Sequence, residues 1–305
     1  MAFKLIVIII FLDFSFSYNA RFGGELYQDG RNARNAAMGG LSISYADGSN
    51  PVLLRNKQTP SIHFSHKNKF GGEAQVTILS YIYTEKKYPI YFGLTNRSVN
   101  NIPNTSIECN QITLDCNYAG IDDFSQQEIG VQLSTIRYWG PYTLGFNIKP
   151  SFIGLAEFGK GYGISGDLAV LLQPFDKFDV TLRMEDILWS KYWDSGTVET
   201  IAPLIIGGIK YQFDRLTVGF ERGSRTESNT IKHYHVGFEY EKHEKLFFRL
   251  GTSHKRIITA GIGLKLQLMN FDYAYLQDIE FKETHVLSVG IDLDDLKRVK
   301  GKITP

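Results

Sequence analysis

The sequence of 305 residues has only two cysteines and three tryptophans, almost no net charge and no long apolar run after its first residues. The sequence has 33 Lys and Arg residues and 32 Asp and Glu residues, so its net charge of +1 gives no electrostatic argument for nucleic-acid binding. No segment after the N-terminus has the roughly 20 apolar residues that a membrane-spanning helix needs. No long stretch has the 3.6-residue period of an amphipathic helix. The sequence is instead rich in Phe and Tyr, with 21 and 17 residues, and these residue types favour strands.

The N-terminus predicts export. Lys4 precedes the short apolar run Leu5–Leu12, and small and polar residues follow, with cleavage expected after Ser17 or Ala20. The alternative, a membrane anchor, is disfavoured because the run is far shorter than a spanning helix. In an exported chain Cys109 and Cys116 are predicted to form a local disulfide, with two free thiols as the alternative.

From about Ser61 to the end, apolar and polar residues alternate in runs separated by Gly, Pro, Asp and Lys-rich turns. The number of runs is about fourteen, an even number, as in single-chain bacterial outer-membrane barrels. Most are about as long as the 9–11 residues of a tilted membrane strand. The predicted strands lie near 61–68, 71–83, 88–96, 126–136, 141–156, 162–173, 178–187, 202–213, 215–223, 231–241, 245–253, 257–268, 269–276 and 284–293.

The connections alternate between short and long. Every second one is a few residues, whereas the intervening ones, such as 97–125 and 188–202, tend to be long. Short periplasmic turns and longer outside loops are typical of outer-membrane barrels, and a soluble sandwich gives no reason for the alternation. The sequence therefore predicts an all-β fold, a transmembrane antiparallel β-barrel of about 14 strands with an N-terminal segment in the lumen.

The two faces of the strands differ in chemistry. In the run 144–149, Leu144, Phe146 and Ile148 alternate with Gly145, Asn147 and Lys149. Apolar side chains need no partner in lipid, so the polar set is predicted to face inward. The predicted lumen-facing charges form either a solute path or, more simply, ion pairs that fill the barrel or hold a plug. They are Lys149, Arg183, Glu185, Lys210, Glu221, Glu239, Lys265 and Asp272.

Residues 21–60 are rich in Gly, Asn, Arg and Asp and mostly lack the two-residue period. Glycine permits tight turns and arginine pairs with carboxylates, so this segment is predicted to plug the lumen, with a flexible periplasmic leader as the alternative. The predicted organisation is a signal peptide at 1–20, the plug at 21–60, the barrel at 61–293 and a periplasmic tail at 294–305.

Short motifs near both ends resemble a known family. The segment 263–291 is similar to the last hairpin of the PorV/PorQ family of outer-membrane barrels, which are related to FadL-type transporters. The matching residues are Asp272, Tyr273, Ala274, Thr284, His285, Ser288 and Gly290. AAMGG, including Met38, Gly39 and Gly40, and the pair Asn50-Pro51 resemble the family's segment before the first strand, the plug. The chain departs from that pattern at Val52-Leu53-Leu54, where the family has a small residue and a glycine.

The resemblance implies a function and a location. It implies a barrel in the outer membrane of a Gram-negative-type bacterium, in contact with outer-membrane lipid. PorV-like members act in type IX secretion, so the first hypothesis is a non-enzymatic component of protein secretion or surface attachment, with secretion proteins or exported cargo as partners. The alternative is a FadL-like channel that passes hydrophobic small molecules.

No motif in the sequence predicts catalysis. GYGISG (161–166) has the spacing of a dinucleotide loop, but a strand rather than a helix follows it. His233 and His235 share a strand face without further ligands at metal-site spacing, so they are predicted to be polar lumen residues. The sequence contains no nucleophile elbow, metalloprotease pair or phosphate loop. We therefore expect neither an enzyme, a metal site nor a cofactor, and no nucleic-acid partner.

Overall fold

A computed structural model describes residues 25–29, 31–84, 88–103, 123–156, 159–225, 232–254, 257–278 and 282–294. The helices are α1 (Glu25–Asp29), α2 (Ala33–Ala37) and two 3₁₀ helices, Pro51–Asn56 and Phe70–Gly72. The strands are β1 (Ser61–Lys69), β2 (Ala74–Tyr83), β3 (Ile90–Pro103), β4 (Asp123–Trp139), β5 (Tyr142–Leu155), β6 (Gly159–Phe175), β7 (Phe178–Trp193), β8 (Val198–Thr200), β9 (Leu204–Phe213), β10 (Leu216–Arg225), β11 (Lys232–His243), β12 (Leu246–Ser253), β13 (Ile258–Lys265), β14 (Met269–Gln277) and β15 (Thr284–Asp292).

The strands form a closed antiparallel barrel. Each strand pairs with its neighbour in sequence, β1 pairs with β15, and β6 pairs with β7, so the ladder returns to its start. The three-residue β8 only pairs with β7 at the rim, which leaves fourteen strands in the wall. Closure satisfies the backbone groups that lipid cannot. The predicted fold class is confirmed.

The alternation of the sequence becomes the two faces of the wall. Leu79, Ile148 and Leu250 are half-exposed on the outside, at 50%, 57% and 60%. Their neighbours Ser80 and Lys149 point inward and are only 6% and 4% exposed. The outer surface is thus an apolar band suited to lipid, and the inner surface carries the polar side chains.

One end of the barrel carries tight turns, at 140–141, 176–177, 214–215 and 244–245, and both barrel termini, because Ser61 pairs with Asp292. We call this the turn end, and the other the loop end. Aromatic rings lie beside the turns, including the pairs Trp139–Tyr142 and Phe175–Phe178, each with centroids 6.4 Å apart. Short turns are typical of the periplasmic end of such a barrel, and aromatic rings are typical of a membrane interface. Among the described residues, no helix has the length and apolarity to cross a membrane.

The structure corrects several predicted boundaries. Strand β7 runs to Trp193 instead of ending near residue 187, and β8 lies within the predicted long loop 188–202. The alternation failed there because β7 is bulged: Asp186 and Leu188 have positive φ of 60° and 55°, and the β6–β7 register shifts. The loop-end connections β1–β2 and β5–β6 are also short. The contrast between long and short connections is therefore weaker than the sequence predicts.

The N-terminal segment lies inside the barrel. We call residues 25–60 the hatch. Its buried residues contact inward-facing side chains on strands around the whole circumference, from Gln132 of β4 to Glu221 of β10 and Ser288 of β15. The hatch therefore occupies the lumen, as the fold prediction stated.

Candidate functional site

Part of the hatch lies in a groove of glycines on the inner wall. Gly219, Gly237 and Gly251 form one cross-strand row over β10, β11 and β12. A methyl group on Gly237 would overlap the carbonyl oxygen of Met38, and one on Gly251 would overlap the backbone of Gly39. The wall glycines therefore allow the hatch backbone to touch the wall backbone directly.

Hydrogen bonds fix this part of the hatch in the groove. The backbone nitrogen of Gly39 donates to Oγ1 of Thr259 at 2.9 Å, and the Thr259 hydroxyl is 2.7 Å from the oxygen of Ala37. His235 Nδ1 lies 2.6 Å from the oxygen of Gly39, and Ala33 donates to Ser288 Oγ at 2.8 Å. Met38 and Gly39, which the sequence placed in the plug, thus belong to a hydrogen-bonded seat.

An ion network joins the hatch to β11, β12 and β14. Arg34 contacts Glu239 at 2.6 Å, Arg249 contacts the other oxygen of Glu239 at 2.6 Å, and Arg249 also contacts Asp272 at 2.7 Å. Burial opposes the charge of Arg34, but the attraction of Glu239 and Asp272 raises its pKa. Removing one member of such a buried set leaves the others unpaired, so the network ties the hatch to the wall.

A second network lies at the centre of the lumen. Lys149 is 2.7 Å from Asp167 and 3.3 Å from Asp186, and Asp186 is 2.8 Å from Arg225. Arg183 lies 3.2 Å from Glu185. It also donates to the hydroxyl of Ser42 in the hatch.

Glu221 belongs to the same region. It accepts hydrogen bonds from the backbone nitrogen and hydroxyl of Ser42, at 3.0 Å and 2.5 Å. Five of the eight predicted lumen charges, Lys149, Arg183, Glu185, Glu221 and Glu239, are therefore buried near the hatch.

Of the remaining predicted positions, Asp272 belongs to the first ion network, and Lys210 and Lys265 lie outside both networks. Lys210 pairs with Asp179 at 2.7 Å, away from the hatch. Lys265 is exposed at the periplasmic end of β13 and contributes nothing to the central network. GYGISG lies within β6, where its glycines occupy strand positions rather than a phosphate loop. Cys109 and Cys116 lie outside the described residues, so their disulfide stays a prediction.

The turn end of the lumen is closed by an apolar group that we call the stopper, the 3₁₀ helix Pro51–Asn56. Val52, Leu53 and Leu54 are fully buried against a cluster that includes Ile136 and Leu171 of the wall. These three residues therefore fill the turn end of the lumen. Asn50, which precedes the stopper, is 1% exposed, and its side-chain amide has no hydrogen-bond partner among the described residues.

Tyr27 of α1 contacts backbone carbonyl groups of the wall where the pairing of β4 with β5 is interrupted. Its hydroxyl is 3.1 Å from the oxygen of Val131 and 2.5 Å from the oxygen of Pro150. Proline has no N–H to donate, so the ladder between β4 and β5 is interrupted at this point. Burial raises the pKa of the Tyr27 hydroxyl, which therefore stays a hydrogen-bond donor.

Backbone pairing in the wall is interrupted at the loop end of β7. Strand β7 pairs with β9 only as far as Glu185, opposite Leu204, and beyond that point its partner is β8. Residues 201–203 belong to no strand, and among the described residues no ladder joins this part of β7 to β10. Arg225 spans the interruption, with one nitrogen 2.8 Å from Asp186 and another donating to the oxygen of Ala202 at 2.5 Å. We call this place the wall break.

A cavity of about 200 Å³ lies beside the wall break, on the loop-end side of the hatch. Its lining combines an apolar side with basic and imidazole side chains. The apolar members are Leu204, Ile206, Ile257 and Leu276, and the polar members include Arg31, His233, His235 and His254.

A smaller cavity of about 20 Å³ lies deeper, at the central ion network, and shares Gln28, Arg31 and Glu185 with the first. These three residues therefore separate the outer cavity from the centre of the lumen. Among the described residues, no group of three His, Cys, Asp or Glu side chains has the geometry of a metal site.

Neither a protein-family model nor a curated protein matches the sequence. Solved structures do match. The chain is similar in fold to the Pseudomonas putida toluene transporter TodX, with 13% identity, a TM-score of 0.61, and coverage of 86% of this chain and 97% of TodX. It is also similar to a Pseudomonas aeruginosa FadL homologue, with 11% identity, a TM-score of 0.51, and coverage of 86% and 98%. The chain has a FadL-like outer-membrane β-barrel fold.

This fold and the outward apolar band place the chain in the outer membrane, as predicted. The similar solved structures support the FadL-like part of the predicted resemblance. They do not support the PorV/PorQ part. Sequence reasoning missed the wall break, Asp186 and Arg225. The run DILW (186–189) contained a signal for them, because the alternation of apolar and polar residues stops there. The strands on either side of this run keep the alternation.

Proposed function

We propose that this chain is an outer-membrane channel for small hydrophobic molecules, which enter the lumen from the loop end and leave it through the wall break. This was the alternative reading of the sequence. The observation that supports it is the position of the 200 Å³ cavity directly beside the interruption in backbone pairing. The similarity in fold to a toluene transporter agrees with it.

The lining of the cavity next to the wall break is suited to apolar molecules. Leu204 and Ile206 face the cavity at the start of β9, and Ala202 is buried in the adjoining segment. A passage to the membrane here requires no separation of strands. It requires only that Arg225 release the carbonyl oxygen of Ala202 and that residues 201–203 move.

A passage to the periplasm is unfavourable in this conformation. Val52, Leu53 and Leu54 of the stopper are fully buried, and exposing them to water would cost roughly 1.5–3 kcal/mol for each large apolar side chain. A lateral route avoids this cost. A channel of this kind needs no catalytic group, and we assign the lumen charges to holding the hatch.

The test is uptake of toluene by vesicles that contain the full mature chain, with a disaccharide as the polar comparison. We expect faster toluene entry than in empty vesicles and no disaccharide entry. Ile206→Ser should slow toluene entry, whereas Ile209→Ser, on the lipid side of the same strand, should not. Equal toluene entry with and without protein would overturn the proposal.

We propose, as a second candidate, a component of type IX secretion or cell-surface attachment. The ordered motifs at Asp272–Ala274 and Thr284–Gly290 favour it, and so does a hatch fixed in the lumen by backbone contacts, since a scaffold needs no solute path. Its test is purification from outer membrane in mild detergent, followed by identification of bound proteins. Secretion machinery or cargo would support this candidate, and recovery of the barrel alone would oppose it.

A further inference from the structure

The cavity beside the wall break is chemically two-sided. Its β9 side is apolar, through Leu204 and Ile206, and Ile257 and Leu276 form a second apolar part near β13 and β14. Its hatch side is formed by Arg31 and by His235 on the facing strand. A cavity that takes only hydrocarbons needs no guanidinium in its lining, because burying a polar group without a partner is costly.

The charge of the lining is positive. Among the described residues that line the cavity, four are Lys or Arg and two are Glu. The two carboxylates are Glu25 and Glu185, and Glu185 already pairs with Arg183 at 3.2 Å. On the basic side, Arg97 is 3.6 Å from Glu128 and the Lys69 amine lies over the Phe70 ring at 4.8 Å, so these two lining side chains already have partners.

Arg31 differs from these side chains. Its Nε is buried and has no hydrogen-bond partner among the described residues. Its Nη1 packs against Gly40, where a methyl group would lie within 2.8 Å of it. Gly40 therefore leaves the room that the guanidinium occupies, and the guanidinium is held at the border between the outer and central cavities.

Imidazoles complete the polar side. The His233 and His254 rings have centroids 4.4 Å apart, and the His235 and His254 rings 5.6 Å. Nδ1 of His235 faces the carbonyl oxygen of Gly39, so it carries the proton and leaves Nε2 for another partner. In this tautomer Nε2 is an acceptor, so the guanidinium of Arg31 is the donor that can hold the two oxygens of a carboxylate.

The volume sets the size of the ligand. A cavity of about 150 Å³ lined by apolar side chains is known to bind benzene. The present cavity, at about 200 Å³, is of the size that takes one ring with a small substituent. It combines Leu204 and Ile206 of β9 with Arg31 of the hatch, which matches a short amphiphile.

We propose that the cavity selects small amphiphilic acids, with a carboxylate at Arg31 and one apolar ring against Leu204 and Ile206. This proposal rests on the proposed channel function and names its substrate class. The carboxylate of the ligand contacts Arg31 in the lumen, and the ring of the ligand faces the wall break. A neutral hydrocarbon of the same size fills the apolar side and leaves the Nε of Arg31 without a hydrogen-bond partner.

The test measures equilibrium binding of benzoate, its neutral isostere benzamide, toluene and palmitate to the full mature protein in nanodiscs. We expect benzoate to bind at least about tenfold more tightly than benzamide, the effect of one hydrogen bond to a charged group. Palmitate should compete poorly. Arg31→Gln should remove the preference for benzoate and leave benzamide binding unchanged, which also reports that the variant is folded.

Arg55→Gln is the matched control, because Arg55 lies in the same hatch but contacts Gln173 at 3.4 Å, outside the cavity. It should change neither affinity. Equal affinities for benzoate and benzamide, or an unchanged preference in Arg31→Gln, would overturn the inference. If toluene binds while benzoate has no advantage, the channel proposal stands without it; if no ligand binds, both fail.

Discussion

Gly39 of the hatch and Gly251 of β12 are in direct backbone contact, so close that a methyl group on Gly251 would overlap the Gly39 nitrogen. We expect Gly251→Ala to displace the hatch from its groove and to destabilise the barrel by about 1–3 kcal/mol, the usual cost of overpacking. Denaturant unfolding checks the stability, and protease cleavage within residues 31–43 checks the displacement.

Gly207→Ala is the matched control, because a methyl group there would meet no atom within 4 Å. It should leave both measurements close to those of the parent. Equal behaviour of the two alanine variants would show that the groove does not seat the hatch.

The apolar band predicts where charge is harmful. Phe238 is 44% exposed on the outer face of β11, so Phe238→Arg should cost about 2–4 kcal/mol if it lies near mid-bilayer. Folding into lipid vesicles, followed by the gel shift between heated and unheated samples, measures the effect. Lys265→Gln, at the exposed rim, should fold normally, and a similar defect in both variants would contradict the assigned faces.

The wall break should loosen when its bridging side chain is removed. Arg225→Gln removes the guanidinium that joins Asp186 to the Ala202 carbonyl and leaves Asp186 with Lys149 as its charged partner. In a background of Cys109→Ser and Cys116→Ser, we expect a cysteine at position 202 to react with a thiol reagent about tenfold faster when Arg225 is replaced. Arg215→Gln, at an exposed turn, is the control and should not change the rate. An unchanged rate in Arg225→Gln would show that other contacts hold residues 201–203.

Conductance should depend on the stopper more than on the rest of the hatch. A deletion of residues 21–48 retains Val52, Leu53 and Leu54, tethered to β1 at Ser61, whereas a deletion of 21–56 removes them. In planar bilayers we expect a nearly closed parent, a partly closed 21–48 deletion and an open 21–56 deletion. Open currents from the parent would contradict a plugged lumen.

Asn50 provides a test of strain in the closed state. Its buried amide lacks a partner among the described residues, and an unmet buried group costs about 1–3 kcal/mol. Asn50→Leu should therefore raise the free energy of unfolding by a comparable amount and slow any opening of the stopper. Asn147→Leu should have the opposite effect, because Asn147 donates to Asp167 at 2.7 Å. A loss of stability in Asn50→Leu would mean that the amide is satisfied, for example by water.

The sequence by itself determined the barrel. Successive side chains of each wall strand face lipid and lumen in turn, so apolar and polar residues must alternate with a period of two. It also set residues 21–60 apart from the barrel as a predicted plug, since glycine-rich irregular chain differs from strand. It could not separate the roles of similar residues. Glu239 and Lys265 both belong to inward positions, yet one binds two arginines and the other meets solvent at the rim.

Only the tertiary structure decided which strands, hatch residues and charges meet. The contact of Gly39 with Gly251 joins residues 212 positions apart, and the ion pair of Asp186 with Arg225 depends on a bulge that interrupts the local pattern. Alternation reports the environment of a single side chain. Partner choice depends on barrel register and on the path of the hatch, which long-range packing determines and no local period encodes.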